Sequence, residues 1–167
     1  MQQSFETVVL PYLDAAYTLA RWLTRGRNDA DDIVQEALVR ALTYFPTFRG
    51  TNARGWFLQI VRNTAYASMT LNRGIPVPLE VEEDYLADPA DDPEAALIRR
   101  RGRADLARLI AKLEVELRET LILREFEELS YKEIAQVTGA PIGTVMSRLW
   151  RARRTLAQAI RREEQDA

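Results

Sequence analysis

The chain has 167 residues, enough for one ordinary domain or two small ones. Apolar residues make up 47%, which suits a folded globular protein, and no run approaches the roughly 18 apolar residues of a membrane span. There is no cysteine and no histidine, which excludes disulfides, thiolate zinc sites, cysteine nucleophiles and imidazole acid–base catalysis.

Any metal would have to be held by carboxylates alone. A hydrolase or oxidoreductase is thereby disfavoured, although a carboxylate-only enzyme survives, and no cofactor or small-molecule substrate is expected. The first residues, Met1-Gln2-Gln3-Ser4-Phe5-Glu6, lack a basic stretch and a long apolar stretch. No secretory signal or membrane insertion is expected, and the expected home is cytoplasmic.

The net charge is −2, from 23 basic and 25 acidic residues. That average hides a segregation. Residues 1–75 carry a net +2, residues 76–97 a net −8 with no basic residue, and residues 98–167 a net +4. The acidity lies in one short segment, so the overall charge does not exclude a nucleic-acid partner for the rest.

Residues 4–25 place Phe5, Val8, Val9, Tyr12, Ala16, Leu19, Ala20 and Leu23 at helical spacing. Pro11 lies inside this run and predicts a kink or a restart. Gly26-Arg27-Asn28 predicts a break. A second helix is expected from Asp29, with Asp29, Asp31 and Asp32 in its first turn, where carboxylates suit the positive end of the helix dipole. Its predicted apolar face is Val34, Leu38, Ala41, Leu42 and Phe45, its polar face Asp32, Gln35, Glu36 and Arg40, and Pro46 ends it. Asp29, Asp31, Asp32 and Glu36 could be taken for a metal site or a carboxylate-metal nuclease. Helix-start charges and a solvated face explain them better, because the sequence offers no partner ligand elsewhere.

A loop with two glycines follows, Phe48 to Gly55, and leads into a helix that starts near Trp56. Phe57, Ile60 and Val61 suit core packing. Arg54, Arg62 and Asn63 beside Trp56 are the types of side chain that can grip unstacked bases, a signal that does not by itself establish such a role. Residues 76–97 hold four of the seven prolines together with the acidic run. Proline opposes helix and like charges repel, so this segment is expected to be an extended linker reaching roughly 70–80 Å.

In the last segment, 98–167, Leu106, Leu109, Ile110, Leu113 and Leu117 form a helical stripe that Leu121 and Ile122 continue. Ser130 followed by Glu133 has the spacing of a capping box at the start of a short helix. Gly139 can supply the positive φ of a sharp turn. A basic helix follows, with Val145, Leu149, Ala152 and Leu156 on one face and Ser147, Arg148, Arg151, Arg153 and Arg154 on the other. This is the pattern of a helix-turn-helix whose second helix enters the major groove. No strand pattern occurs, so the fold class is all-α, with two small helical domains, 1–75 and 98–167, joined by the acidic linker 76–97.

The chain resembles an extracytoplasmic-function (ECF) sigma factor of bacterial RNA polymerase. The resemblance is carried by Leu129-Ser130-Tyr131-Lys132-Glu133-Ile134-Ala135 with Gly143-Thr144-Val145-Met146-Ser147-Arg148-Leu149-Trp150-Arg151-Ala152-Arg153, similar to sigma region 4. It is carried equally by Asp29-Ala30-Asp31-Asp32-Ile33-Val34-Gln35-Glu36, Trp56-Phe57-Leu58 and Arg62-Asn63, similar to region 2. It implies that Asp32, Ile33, Gln35 and Glu36 dock on the polymerase core, at the clamp of the β′ subunit, with β as a further contact. It implies that Phe48, Arg54, Trp56, Ile60, Arg62 and Asn63 bind the −10 promoter element, with Asn63 on a flipped base. It implies that Thr144, Met146, Ser147, Arg148, Arg151 and Arg153 bind the −35 element. The linker would thread basic channels of the core enzyme, and an anti-sigma factor would hold the protein inactive.

Two departures stand out. Family members usually carry Lys or Arg where Met146 stands, and prolines around Glu114 and Val115, where this helix is expected to run on. The alternative reading is a conventional helix-turn-helix regulator that binds duplex DNA without polymerase.

Overall fold

The computed structural model describes residues 4–24, 27–73, 93–101 and 103–166. Every regular element among them is helical. Contacts divide the chain into two compact units, one of Met1–Pro78 with Lys132–Ala140, the other of Leu79–Tyr131 with Pro141–Ala167. Most of the linker predicted over 76–97, residues 76–92, and Gly26 of the expected break lie outside what the structure describes, whereas Arg27 and Asn28 are helical, so the second helix starts two residues before the expected Asp29.

The first unit begins with α1 (Phe5–Val9), capped by the Ser4 hydroxyl, which accepts from the Thr7 amide at 3.2 Å. Pro11 then sits in a 3-10 turn (Leu10–Tyr12) that separates α1 from α2 (Leu13–Leu23). The ring has no N–H to give to an α-helical ladder, so the helix restarts as its sequence demands. Next come α3 (Arg27–Tyr44) and, after a 3-10 turn containing Pro46, α4 (Ala53–Arg73). The last begins three residues earlier than the aromatic run suggests. The Asn52 side-chain oxygen accepts from the Gly55 amide at 3.0 Å, which satisfies an amide of the first turn.

Helices α2, α3 and α4 pack on one another in pairs. Leu19, Ala20 and Leu23 meet a small-residue face of α3, namely Ala30, Val34, Ala37 and Ala41, and the Phe57-Leu58-Val61-Ala65 face of α4, all buried. Alanines let helix axes approach closely, and each large side chain buried here contributes about 1.5–3 kcal/mol.

In the second unit α5 (Pro93–Arg100) and α6 (Arg103–Ile110) pack against α9 (Ile142–Asp166), and so does α7 (Val115–Glu125). Two expectations are corrected. The helix does not run on through Glu114 and Val115: α6 ends at Ile110, and α7 starts at Val115 after Glu114 adopts an extended ψ of 145°. Residues 93–97, counted with the linker on charge and proline, are helical, because Ile98 is buried and anchors α5 on α9.

A salt-bridge cluster closes this end. Glu163 accepts from Arg101 at 2.5 Å and from Arg108 at 2.6 Å, and Arg161 reaches Glu94 at 3.4 Å. The hydrogen bond from Arg108, aided by the charges of both arginines and opposed by partial burial, holds the Glu163 carboxyl below its ordinary range. The short helix α8 (Tyr131–Thr138) is joined to α9 through Gly139, whose φ of 74° is the left-handed value the turn requires.

Candidate nucleic-acid and polymerase interfaces

On α3 the residues facing away from the alanine face are Asp32, Gln35, Glu36, Val39 and Leu42, spaced as one stripe and all exposed. Val39 is 65% exposed and Leu42 58%. Leu42 was expected in the core. It lies about 100° or more around the helix from Ala37 and Ala41, and those alanines fill the contact with α2 and α4. Ile33, expected on the docking face, is 4% exposed and belongs to the core. Its side chain thus packs inward, while Asp32, Gln35 and Glu36 lie on the surface. Glu36 is paired at 2.8 Å with Arg40, which also reaches the Thr64 hydroxyl at 3.4 Å and so ties α3 to α4.

This stripe combines carboxylates with exposed aliphatic side chains, a composition suited to a protein partner. Val39 and Leu42 are missing from the sequence-derived site. Their signal was present as two apolar residues on a helix face that otherwise carries Asp32, Gln35 and Glu36.

Helix α4 presents a second surface. Phe57, Leu58, Val61 and Ala65 face inward, so Trp56, Ile60 and Asn63 emerge together as one stripe, with Asn63 exposed and the other two half-buried. The stripe is backed by an aromatic cluster. Phe48 lies 4.8 Å from Trp56 by ring centroids, Phe45 lies 6.4 Å from both, and Phe5 meets Phe45 edge-on at 5.6 Å. These four rings fix the loop before α4, which is braced further by the Arg49 guanidinium on the Pro46 and Phe48 carbonyls at 2.7 and 3.1 Å.

Arg62 is not part of this stripe. It projects about a third of a turn away and stacks over Tyr66 at 3.9 Å. Arg54 lies at the helix start, with its guanidinium 2.8 Å from the Glu133 carboxylate. The structure thus gathers Phe48, Trp56, Ile60 and Asn63, and holds Arg54 and Arg62 apart from them.

On α9, the apolar face of Val145, Leu149, Ala152 and Leu156 is buried as expected. Arg148 and Arg153 project to either side of that face and are spent inside the unit. Arg148 lies 3.5 Å from Glu116. Arg153, 5% exposed, is held by Glu125. Both carboxylates belong to α7, so the two pairs flank the α7–α9 seam. Arg153, expected to meet the −35 element, thus has its guanidinium tied to α7. Arg148, 13% exposed at its side chain, is likewise turned toward α7.

Ser147 is also buried, and its hydroxyl donates to the Gly143 carbonyl at 3.0 Å. Thr144, Met146 and Arg151 are half-buried. Trp150 and exposed Arg154, absent from the sequence-derived set, share the outward face, with the Arg154 guanidinium 5.0 Å from the Trp150 ring.

Among the described residues no group of three or more carboxylates lies close enough together to hold a metal ion. No helix among the described residues is long and apolar enough to cross a membrane.

Two helical units, one with an aromatic-backed polar stripe and one with a basic helix after a tight turn, are the architecture of a sigma factor. The sequence matches sigma-70 region 2 over residues 8–73 and sigma-70 region 4 over residues 103–156. It is 33% identical to the RNA polymerase sigma-H factor of Pseudomonas aeruginosa, over 95% of this chain and 87% of that protein. It is 32% identical to the ECF RNA polymerase sigma-E factor of Escherichia coli K12, over 93% and 85%.

Among solved structures, the sigma factor RpoE in complex with the anti-sigma factor NepR from Bartonella quintana superposes with a TM-score of 0.69 at 26% identity, covering 94% of this chain and 96% of that one. CnrH in complex with the cytosolic domain of CnrY gives a TM-score of 0.64 at 25% identity, covering 93% and 86%. The chain belongs to the ECF sigma factors.

Proposed function

We propose that this protein binds core RNA polymerase through the α3 stripe of Asp32, Gln35, Glu36, Val39 and Leu42, and directs promoter-specific initiation through two DNA contacts. The polymerase forms the bonds, and this chain supplies only recognition. The Trp56-Ile60-Asn63 stripe captures −10 bases as the duplex opens. The rigid ring cluster behind it is the observation that carries this reading, because an unstacked base needs a fixed apolar surface and an adjacent amide to be held and read. The outward face of α9 meets the −35 duplex.

The solved RpoE complex with the anti-sigma factor NepR supports control of this chain by such a partner, and a role in transcription would have it act in the bacterial cytoplasm. The core-docking and DNA surfaces are the ones a partner would have to cover.

The test is transcription in vitro with bacterial core polymerase on a library of genomic promoter fragments, with and without the protein. Discrete new start sites sharing two upstream elements support the reading. Tight duplex binding by the protein alone, with no core-dependent transcription, overturns it in favour of a conventional regulator.

A further inference from the structure

The basic character of α9 is divided by direction. Four arginines lie between residues 148 and 154. Arg148 and Arg153 are committed to Glu116 and Glu125 of α7. Their charges are largely neutralised within the unit and contribute little to the field outside it. Arg151 and Arg154 lie on the opposite side of the helix, away from Val145, Leu149, Ala152 and Leu156, in a stripe with Trp150 and Gln158.

Arg154 is exposed, and among the described residues no carboxylate lies within salt-bridge distance of it. It lies against Trp150, one turn earlier, at 5.0 Å from the ring centroid. This spacing is the i, i+4 relation that brings side chains face to face on a helix.

We propose that Arg154, held against the Trp150 ring, is a phosphate-binding residue for duplex DNA lying along α9, and that Trp150 is its positioning residue. A guanidinium stacked on an indole loses side-chain freedom before binding, while its N–H edge still points outward to a phosphate. A phosphate contact carries no base information, so Arg154 adds affinity and register and no sequence preference. It also supplies a cation on a helix where Met146 brings none and where two of the four nearby arginines are internally paired. The proposal rests on the reading of α9 as the −35-binding helix.

The experiment is binding of the holoenzyme to promoter DNA at several salt concentrations, with the intact and a scrambled −35 element. The chains compared are the wild type, Arg154→Gln, Trp150→Leu, the double variant, and Arg162→Gln as a charge-matched control. Loss of one phosphate contact lowers the slope of log K against log salt by about 0.9, which is about a 3.5-fold smaller loss of affinity over a fourfold rise in salt. Arg154→Gln is expected to show that change and an equal loss on all −35 sequences. Arg162→Gln keeps the wild-type slope. Trp150→Leu weakens binding in the wild-type background and has a markedly smaller effect once Arg154 is gone.

An unchanged slope in Arg154→Gln, with the wild type still dependent on the −35 element, overturns the proposal alone. A shift in which −35 sequences are preferred overturns it too, since it would assign Arg154 to a base. Wild-type binding indifferent to the −35 element overturns the reading of α9 itself, and the proposal with it.

Discussion

The Arg153–Glu125 pair offers a direct test of which arginines of α9 hold the fold. Arg153 is 5% exposed, and the Glu125 side chain is 35% exposed. Removing the carboxylate leaves a guanidinium in the α7–α9 seam without its counter-charge. For a fully buried pair that costs 3–5 kcal/mol. Water reaches Glu125, so about 1–2 kcal/mol is the expected loss for Glu125→Ala. Arg153→Met replaces the charge by an apolar chain of similar length, and such replacements are near neutral.

Hydrogen exchange followed by mass spectrometry on the full chain reads α9 locally. Glu125→Ala should make α9 peptides exchange about 5–30-fold faster. The double variant Glu125→Ala/Arg153→Met should recover most of that protection, and Arg153→Met alone should retain −35-dependent binding by the holoenzyme. Loss of −35 binding in Arg153→Met with exchange unaltered would refute the reasoning, because it would make Arg153 a DNA contact after all.

Three further outcomes are expected. Val39→Asp with Leu42→Asp should lower affinity for core polymerase at least tenfold while leaving the melting curve unchanged, because both side chains are more than half exposed; a stable variant with undiminished core affinity, by competition for core enzyme, would remove them from the docking face. Glu163 titrates below its ordinary value of 4.5 in the folded chain. Its contribution is therefore present above that pH and lost as the pH falls through the lowered value, and the gap in melting temperature between wild type and Glu163→Gln should persist at neutral pH and close only in acid. Gly139→Ala meets open space but must take a φ of 74°, so denaturant melts should show a loss of about 1–2 kcal/mol, with Gly139→Asn less affected.

Much of the fold was legible because its signals are local. Pro11 announced a restart, Gly139 a left-handed turn, and Val145-Leu149-Ala152-Leu156 a buried face. Those properties belong to single residues or to one helical period. The errors concern partners. Ile33 and Leu42 were exchanged between core and surface because α3 buries alanines, which carry little hydrophobic signal, and leaves larger aliphatic residues outside. Arg148 and Arg153 were grouped with Arg151 because a basic helix looks uniformly basic until the carboxylates of another helix are placed beside it. Glu116 and Glu125 stand in plain view in the sequence, but only tertiary packing assigns them to α9. Trp150 and Arg154 were both in view, yet their pairing was not drawn, although their i, i+4 spacing is itself local.

Helix α9 runs unbroken for 25 residues, about 37 Å at 1.5 Å per residue. Its first half carries the face argued to meet DNA, and its last turns are gripped by α5 and α6 through Glu163 and Arg161. A continuous helix is stiff at this length, so the grip at one end fixes the aim of the other as a stock fixes the aim of a barrel. Anything that pries α5 away would misalign the reading face without touching a single residue on it.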